Sequence, residues 1–173
     1  MLRDMLSFWI IGTASLCVGL LLNQFRDKPL SLVYQTKVER LQLAVTKIGT
    51  IQAARQIPEA LPVSLSLDEF RSFAEQKRGL VLDARPELFH RLGHVPGAIS
   101  LPREAFESGY AKLKAQLESD RSQPLVVYCS GISCEDSIMV QQALVKLGYT
   151  HVSIFRGGWD EWTDAGLPVE KAP

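Results

Sequence analysis

The sequence predicts an α/β domain with a parallel sheet, because short apolar segments alternate with helical patterns through its second half. Four segments have the composition of buried strands: residues 80–82, 98–101, 124–128 and 152–155. Parallel strands need helical or similarly long connections between them. Since ligands of such sheets bind beyond the carboxyl ends of the strands, residues that directly follow a strand are the first functional candidates.

The helical patterns between these segments have recognisable starts and ends. Ser66 and Glu69 form a capping-box pattern, and Gly148 is suited to end the helix that precedes it. The predicted helices begin at Ser66, at Pro86, near Phe106, before Ile138 and at Gly157.

Composition excludes several classes of function. The 173 residues carry a formal net charge of zero, so no excess of basic charge attracts nucleic acid. Cys17, Cys129 and Cys134 are too few for a disulfide scaffold, and no second Cys/His pair completes a zinc site. We therefore expect no structural metal, no cofactor and no nucleic-acid partner.

Residues 1–28 are predicted to form a membrane anchor. No charged residue lies between Asp4 and Arg26, and residues 5–22 are largely apolar, which is close to the shortest helix that crosses a bilayer. A cleaved secretory signal is the alternative, but no small-x-small cleavage site follows the apolar segment. We predict an uncleaved single-pass helix, on which Cys17 is an apolar residue.

The side of the membrane is only weakly indicated. Arg3 and the amino terminus lie before the apolar segment, whereas Arg26 and Lys28 follow it, so positive charge favours a cytoplasmic domain by a small margin.

A linker or stalk is predicted for residues 29–60, and the α/β domain for residues 61–173. Apolar residues recur at helical spacing within the linker, and Pro58 and Pro62 interrupt the chain after them. This apolar stripe consists of Val38, Leu41, Val45 and Ile48.

The segment VVYCSGISCEDS, residues 126–137, places Cys129 after a predicted strand and before a predicted helix. Backbone N–H groups and the positive end of the helix dipole stabilise an anion in such a loop, so a thiolate or persulfide is favoured there. Gly131 permits a tight turn, and Glu135 and Asp136 oppose an anion if they point inward. The candidate loop comprises Cys129, Ser130, Gly131, Ile132, Ser133, Cys134, Glu135, Asp136 and Ser137.

Three segments of the chain resemble a single rhodanese (thiosulfate sulfurtransferase) domain. They are LVLDARPELFHRLGHVPGAISLP, PLVVYCSGISCEDS and LGYTHVSIFRGGWDEWTDAGLPVE, and they occur in that order between about Val63 and Val169. The resemblance implies a rhodanese-like fold and a persulfide-carrying nucleophile at Cys129. It also implies a small sulfur donor and a thiol acceptor as partners.

The resemblance further implies supporting roles outside the loop. Asp83 and Arg85 are expected to act as scaffold near the site, and His94 as a hydrogen-bonded turn residue rather than a base. The other residues expected to be structural are Gly93, Pro96, Gly97, Gly157, Gly158 and Trp159.

The loop departs from the family pattern in two ways. It is longer than usual, since seven residues separate Cys129 from Ser137, and Asp136 occupies the place before that serine where an arginine is often found. Cys129 is therefore expected as the nucleophile, but no cationic contact to thiosulfate is carried over from the family.

Three alternatives remain open. A phosphatase needs an arginine in the loop to clamp the oxyanion, and none lies between Cys129 and Ser137. A thiol redox protein would use Cys129 and Cys134, provided that their Cα atoms approach within about 7 Å. A catalytically silent rhodanese-like binding module is the third alternative, and the presence of Cys129 disfavours it.

Overall fold

Helices alternate with parallel strands in the computed structural model, which describes residues 13, 15, 17–25, 35–48 and 63–172. The strands are β1 (Leu80–Asp83), β2 (Ile99–Ser100), β3 (Leu125–Tyr128) and β4 (Val152–Phe155). They form a four-stranded sheet in the order β2-β1-β3-β4, and each neighbouring pair is parallel. The predicted α/β class with a parallel sheet is confirmed.

The helices lie close to their predicted positions. Ser66 caps α2 with both hydrogen bonds of a capping box, as its pattern predicts. The helices are α1 (Lys37–Ile48), α2 (Leu67–Glu75), α3 (Glu87–Leu92), α4 (Phe106–Glu118), α5 (Asp136–Lys146) and α6 (Gly158–Asp164), with a short 3₁₀ turn at Arg103–Ala105.

Strand β3 lies at the centre of the domain, since all four of its residues are buried. Leu125 and Val127 belong to one hydrophobic cluster, whereas Val126 and Tyr128 belong to another. Successive side chains of a strand point to opposite faces, so β3 has a hydrophobic layer on each side. This strand therefore delivers Cys129 from a fixed position.

Helix α1 is part of the domain rather than a stalk. Leu41 and Ala44 are buried, and they share a hydrophobic cluster with residues of α4 and α5. The compact unit consequently spans Thr36–Pro173 and begins well before residue 61, the predicted boundary. Within the apolar stripe of the predicted linker, Leu41 is buried and Val45 and Ile48 pack against the same cluster, whereas Val38 is exposed.

Residues 1–35 form a separate compact unit, in which residues 17–24 are helical. Within the described ranges, no helix has the length and apolar character needed to cross a membrane. Most of residues 5–16, where the predicted span begins, lie outside the described residues. The anchor over residues 1–28 therefore stays a prediction.

Candidate active site

Residues 129–135 form the loop that joins β3 to α5, and Cys129 is its first residue. The Cys129 side chain is only 2% exposed, yet it belongs to neither hydrophobic cluster of the described domain. Cys129 is therefore almost completely shielded from solvent.

Helix α6 holds the start of this loop in place. The Trp159 N–H donates to the Cys129 carbonyl, and the Asp160 N–H donates to the Ser130 carbonyl, both at 2.8 Å. Gly158 has a φ of +63°, and a Cβ there would collide with the Cys129 carbonyl oxygen. Only glycine allows α6 to begin this close to the loop backbone.

The loop brings together the two cysteines that the sequence singled out. Cys129 and Cys134 are joined by a disulfide, and their Cα atoms are 6.2 Å apart. The Cys134 N–H donates to the Gly131 carbonyl at 2.9 Å, which closes a turn inside the loop. The distance condition for a redox pair is therefore met.

Backbone amides of the loop remain available to an anion. Within the described part of the chain, no hydrogen-bond acceptor is found for the N–H groups of Ser130, Gly131, Ile132 and Ser133. Helix α5 also begins without a side-chain cap. Free amides beside a helix N-terminus attract negative charge, which suits a thiolate or a persulfide anion once the disulfide is open.

The negative charge of Asp136 is balanced by a buried arginine. Arg103 Nε lies 2.7 Å from Asp136 Oδ1, and Arg103 is 8% exposed. This is an ion pair by distance, although the Nε–H is not aligned for a hydrogen bond and Nη1 has no hydrogen-bond partner among the described residues. Glu135 is exposed and Arg156 Nη2 donates to the Ile132 carbonyl at 3.5 Å, so the loop is less acidic than its sequence indicates.

Arg103 was missed by the sequence analysis. It lies three residues after the end of β2 and therefore at the carboxyl edge of the sheet, where Cys129 also lies. Its position shortly after a predicted strand is the signal in the sequence that identifies Arg103 as a site candidate.

Cys129, Cys134 and Asp136 each place one potential ligand atom within 4.8 Å of the others. Metal ions such as Zn²⁺ bind the thiolate form of cysteine. Sulfurs joined in a disulfide carry no such charge, so the oxidised loop does not form a metal site from this trio.

Asp83 organises the buried end of β1, and it is fully buried. Arg85 Nη2 donates to Asp83 Oδ2 at 2.7 Å, Tyr128 Oη donates to the same oxygen at 2.8 Å, and His90 Nδ1 lies 3.1 Å from it. Burial alone raises the pKa of Asp83, but the hydrogen bonds from His90, Arg85 and Tyr128 outweigh it and lower the pKa below its ordinary value.

Arg85 links this carboxylate to other parts of the site. Its Nη2 donates to the Gly93 carbonyl at 2.7 Å, and its guanidinium carbon lies 4.4 Å from the ring centre of Trp159 on α6. Tyr128 directly precedes Cys129, so the Asp83 network connects β1, the turn near Gly93 and α6 around the base of the loop. Asp83 and Arg85 thus occupy scaffold positions, together with His90 and Tyr128, which the sequence analysis did not single out.

His94 lies in the turn that precedes β2. Its Nδ1–H donates to the His90 carbonyl at 2.8 Å, and its backbone forms two hydrogen bonds with Glu170. The His94 and His90 rings stack with their centres 3.8 Å apart. Its contacts are those of a turn residue, in keeping with the role expected from the sequence.

Comparison with known proteins defines the class of this domain. The family model described as rhodanese-like domain matches residues 66–165. The chain therefore belongs to the rhodanese-like family, as the sequence resemblance predicts.

Several relatives have names that describe sulfur transfer. The chain is 30% identical over 98 residues to thiosulfate sulfurtransferase GlpE of Haemophilus influenzae, covering 56% of this chain and 85% of that protein. It is 34% identical over 98 residues to 3-mercaptopyruvate sulfurtransferase of Escherichia coli K12, covering 51% of this chain and 33% of that protein. The rhodanese-like domain of the Anabaena protein Alr3790 has a similar structure, with a TM-score of 0.52 at 27% identity over 63% of this chain and 79% of that chain.

Two of these sulfurtransferase relatives are much longer than the matched domain. The chain spans 37% of a putative thiosulfate sulfurtransferase from Synechococcus elongatus and 33% of the E. coli enzyme. These similarities support membership of the sulfurtransferase family for the matched domain.

Proposed function

We propose that the protein is a rhodanese-type sulfurtransferase that carries sulfane sulfur as a persulfide on Cys129. One observation carries this proposal: Cys129 lies between the end of β3 and the uncapped start of α5, beside backbone N–H groups without acceptors in the described domain. Such surroundings stabilise a sulfur anion without a cationic side chain in the loop. The names of the relatives point to the same chemistry.

The reaction begins from the reduced loop. A thiol reductant first opens the disulfide, because a sulfur engaged in it is no longer a nucleophilic thiolate. The Cys129 thiolate then attacks the outer sulfur of a small donor such as thiosulfate. A new S–S bond forms, the donor S–S bond breaks, and sulfite leaves with the electron pair. A thiol acceptor, or cyanide, subsequently takes the outer sulfur from the persulfide.

The test is to detect the persulfide directly. The full-length chain is purified in mild detergent, reduced, exposed to thiosulfate, polysulfide or glutathione persulfide, and analysed by peptide mass spectrometry. We expect one added sulfur on the peptide that contains Cys129, most completely in a Cys134→Ser variant that lacks the neighbouring thiol, and its release as thiocyanate by cyanide. Cys17, a free and exposed cysteine, provides the matched control: Cys17→Ser should load normally, and Cys129→Ser should not.

Absence of added sulfur on Cys129 with every donor, in Cys134→Ser as well as in wild type, would overturn the proposal. The silent binding module would then account for the domain if Cys129→Ser also left all of its thiol chemistry unchanged.

A thiol redox protein is the second candidate function, and the disulfide between Cys129 and Cys134 is the observation that favours it. In this case the reduced chain would pass two electrons to a disulfide substrate and never hold sulfane sulfur. Turnover of a disulfide substrate by a chain that cannot be loaded with sulfur would establish this alternative.

We further propose that residues 5–22 anchor the protein in a membrane, on the basis of their uncharged and apolar sequence. Extraction of membranes with alkaline carbonate should leave the full chain in the pellet, and release of the chain would overturn the anchor. Labelling of a cysteine introduced at the exposed Lys112 (Lys112→Cys), in intact cells with a membrane-impermeant thiol reagent, then decides the side, and we expect protection, as for a cytoplasmic domain.

A further inference from the structure

The loop that carries Cys129 also contains a second sulfur at bonding distance, and the proposed sulfurtransferase reaction does not use it. Cys134 lies five residues after Cys129, and the Cα–Cα distance of 6.2 Å falls within the range of disulfides in proteins. The disulfide is formed in the structure, so the loop conformation accommodates both sulfurs in contact.

The loop conformation that brings Cys134 back to Cys129 is also stabilised by hydrogen bonds that do not involve the disulfide. On one side, α6 binds the carbonyls of Cys129 and Ser130. On the other side, the Cys134 N–H is bound to the Gly131 carbonyl. These backbone hydrogen bonds do not involve the sulfurs, so opening the disulfide breaks none of them.

The two cysteines differ in their exposure. Cys129 is 2% exposed, whereas Cys134 is only partly buried and lies in the half of the loop where Ile132 and Ser133 are exposed. A persulfide on Cys129 is therefore shielded from large thiols in solution. Cys134 is the nearest thiol to it and the sulfur of the pair that a soluble reductant meets first.

We propose that Cys134 is a resolving cysteine that discharges the Cys129 persulfide as hydrosulfide. This inference rests on the proposed function, since it requires Cys129 to accept sulfane sulfur first. The Cys134 thiolate attacks Sγ of Cys129, so that a bond forms between the two cysteine sulfurs and the bond from Cys129 Sγ to the outer sulfur breaks. The outer sulfur leaves with the electron pair and takes up a proton, equivalent to the one lost by the Cys134 thiol, so that it is released as hydrosulfide.

The electron balance determines the class of co-substrate. The outer sulfur is reduced to hydrosulfide, and the two cysteine sulfurs are oxidised to the disulfide. A dithiol reductant then restores both thiols and becomes a disulfide itself. With thiosulfate as donor, one cycle converts thiosulfate and a dithiol into sulfite, hydrosulfide and an oxidised dithiol. When Cys134 acts on the persulfide, the domain is thereby a dithiol-dependent reductase of the sulfane sulfur that Cys129 has accepted.

The experiment follows one turnover without an external thiol. The full-length chain is reduced, freed of reductant under anaerobic conditions and mixed with thiosulfate. Hydrosulfide is measured with a sulfide-specific probe, and the state of Cys129 is measured by mass spectrometry. Wild type and the control Cys17→Ser should release hydrosulfide in amounts equal to the chain and form the 129–134 disulfide at the same rate.

Cys134→Ser should behave differently in both measurements. We expect its Cys129 persulfide to persist at least about ten times longer than that of wild type, because an adjacent thiol acts at a high effective concentration that no dilute thiol reaches. Hydrosulfide should appear from this variant only after a dithiol is added. Cys134→Ala provides a second substitution of similar size, and circular dichroism verifies that both variants are folded.

Each outcome discriminates between the proposals. Equal persulfide lifetimes in wild type and Cys134→Ser would overturn the resolving role while leaving the sulfurtransferase proposal intact. Failure of Cys134→Ser to acquire any sulfur on Cys129 would overturn both. Formation of the disulfide without release of hydrosulfide would assign Cys134 to simple thiol oxidation and would likewise overturn the resolving role.

Discussion

Replacement of Asp83 by asparagine should strongly destabilise the domain. The carboxylate is fully buried, and Arg85, which is 3% exposed, contacts both of its oxygens at 2.7–3.2 Å. Asparagine retains the shape but removes the charge, so Arg85 is left as a buried cation without a counter-ion. The amide nitrogen would in addition face the donors of Arg85 or Tyr128.

The expected magnitude follows from the contacts that remain. Removal of one partner of a buried ion pair costs about 3–5 kcal/mol. Arg85 keeps its hydrogen bond to the Gly93 carbonyl and its contact with the Trp159 ring, so we expect the lower end of that range. A loss of about 3 kcal/mol is a large part of the stability of a typical domain and lowers Tm by roughly 10 °C.

The assay is urea unfolding of the full-length chain, followed by circular dichroism and tryptophan fluorescence. The matched control is Glu75→Gln, which removes an exposed carboxylate that also pairs with an arginine, Arg71, and which should leave the midpoint unchanged. The double variant Asp83→Asn/Arg85→Met should recover part of the loss, because it removes the uncompensated charge. A midpoint for Asp83→Asn equal to that of Glu75→Gln would refute this account of the network.

The same carboxylate predicts a pH dependence. The pKa of Asp83 is lower in the folded protein than its ordinary value of 3.8, so the native state binds fewer protons than the unfolded state, and the stabilising effect of Asp83 is complete above pH 3.8. This effect is lost as pH falls through the folded pKa. The free energy of unfolding should therefore fall less steeply with decreasing pH in Asp83→Asn than in wild type, and equal slopes would contradict this. Gly158→Ala should cost more stability than Gly166→Ala and should reduce sulfur loading: both residues have positive φ, but only at Gly158 would a Cβ collide with the loop, whereas Gly166 faces open space. Equal thermal shifts would show that contact with the loop is unimportant. Asp136→Asn should lower the free energy of unfolding by about 2 kcal/mol, because Arg103 would remain a buried cation without its counter-charge. It should also speed alkylation of the reduced loop by iodoacetamide at neutral pH, since a negative charge near both sulfurs is removed, and an unchanged or slower rate would contradict this.

The fold was predictable because its determinants are local. The capping box at Ser66, the apolar segment that forms β3 and the glycine after α5 each specify an element from residues adjacent in sequence. The boundary of the domain was not predictable in the same way. The stripe on α1 is the same whether the helix is free or docked, and only the apolar surfaces of α4 and α5, far along the chain, determine that it is docked.

In the candidate site, too, some features follow from local sequence and others depend on residues distant along the chain. The position of Cys129 at the end of β3 follows from sequence, whereas its pairing with Cys134 depends on the curl of the loop. That curl is imposed by α6, whose first amides bind the carbonyls of Cys129 and Ser130. A spacing of five residues is compatible with either a closed or an open loop, so the sequence left the redox alternative undecided.

Asp136 shows most clearly how a distant residue changes the chemistry inferred from a local pattern. Its carboxylate, taken with the sequence alone, opposes an anion in the loop and weakens the case for a thiolate at Cys129. The buried guanidinium of Arg103 reaches it from the connection after β2, at the same edge of the sheet, and offsets that charge. An arginine within the loop would bind a donor anion directly, whereas Arg103 instead pairs with Asp136, so in the proposed reaction the backbone amides of the loop would stabilise the sulfur anion. Because the free amides and the helix N-terminus favour an anion, anionic thiosulfate should load faster than an uncharged persulfide of similar size, but by a smaller factor than in an enzyme with a loop arginine.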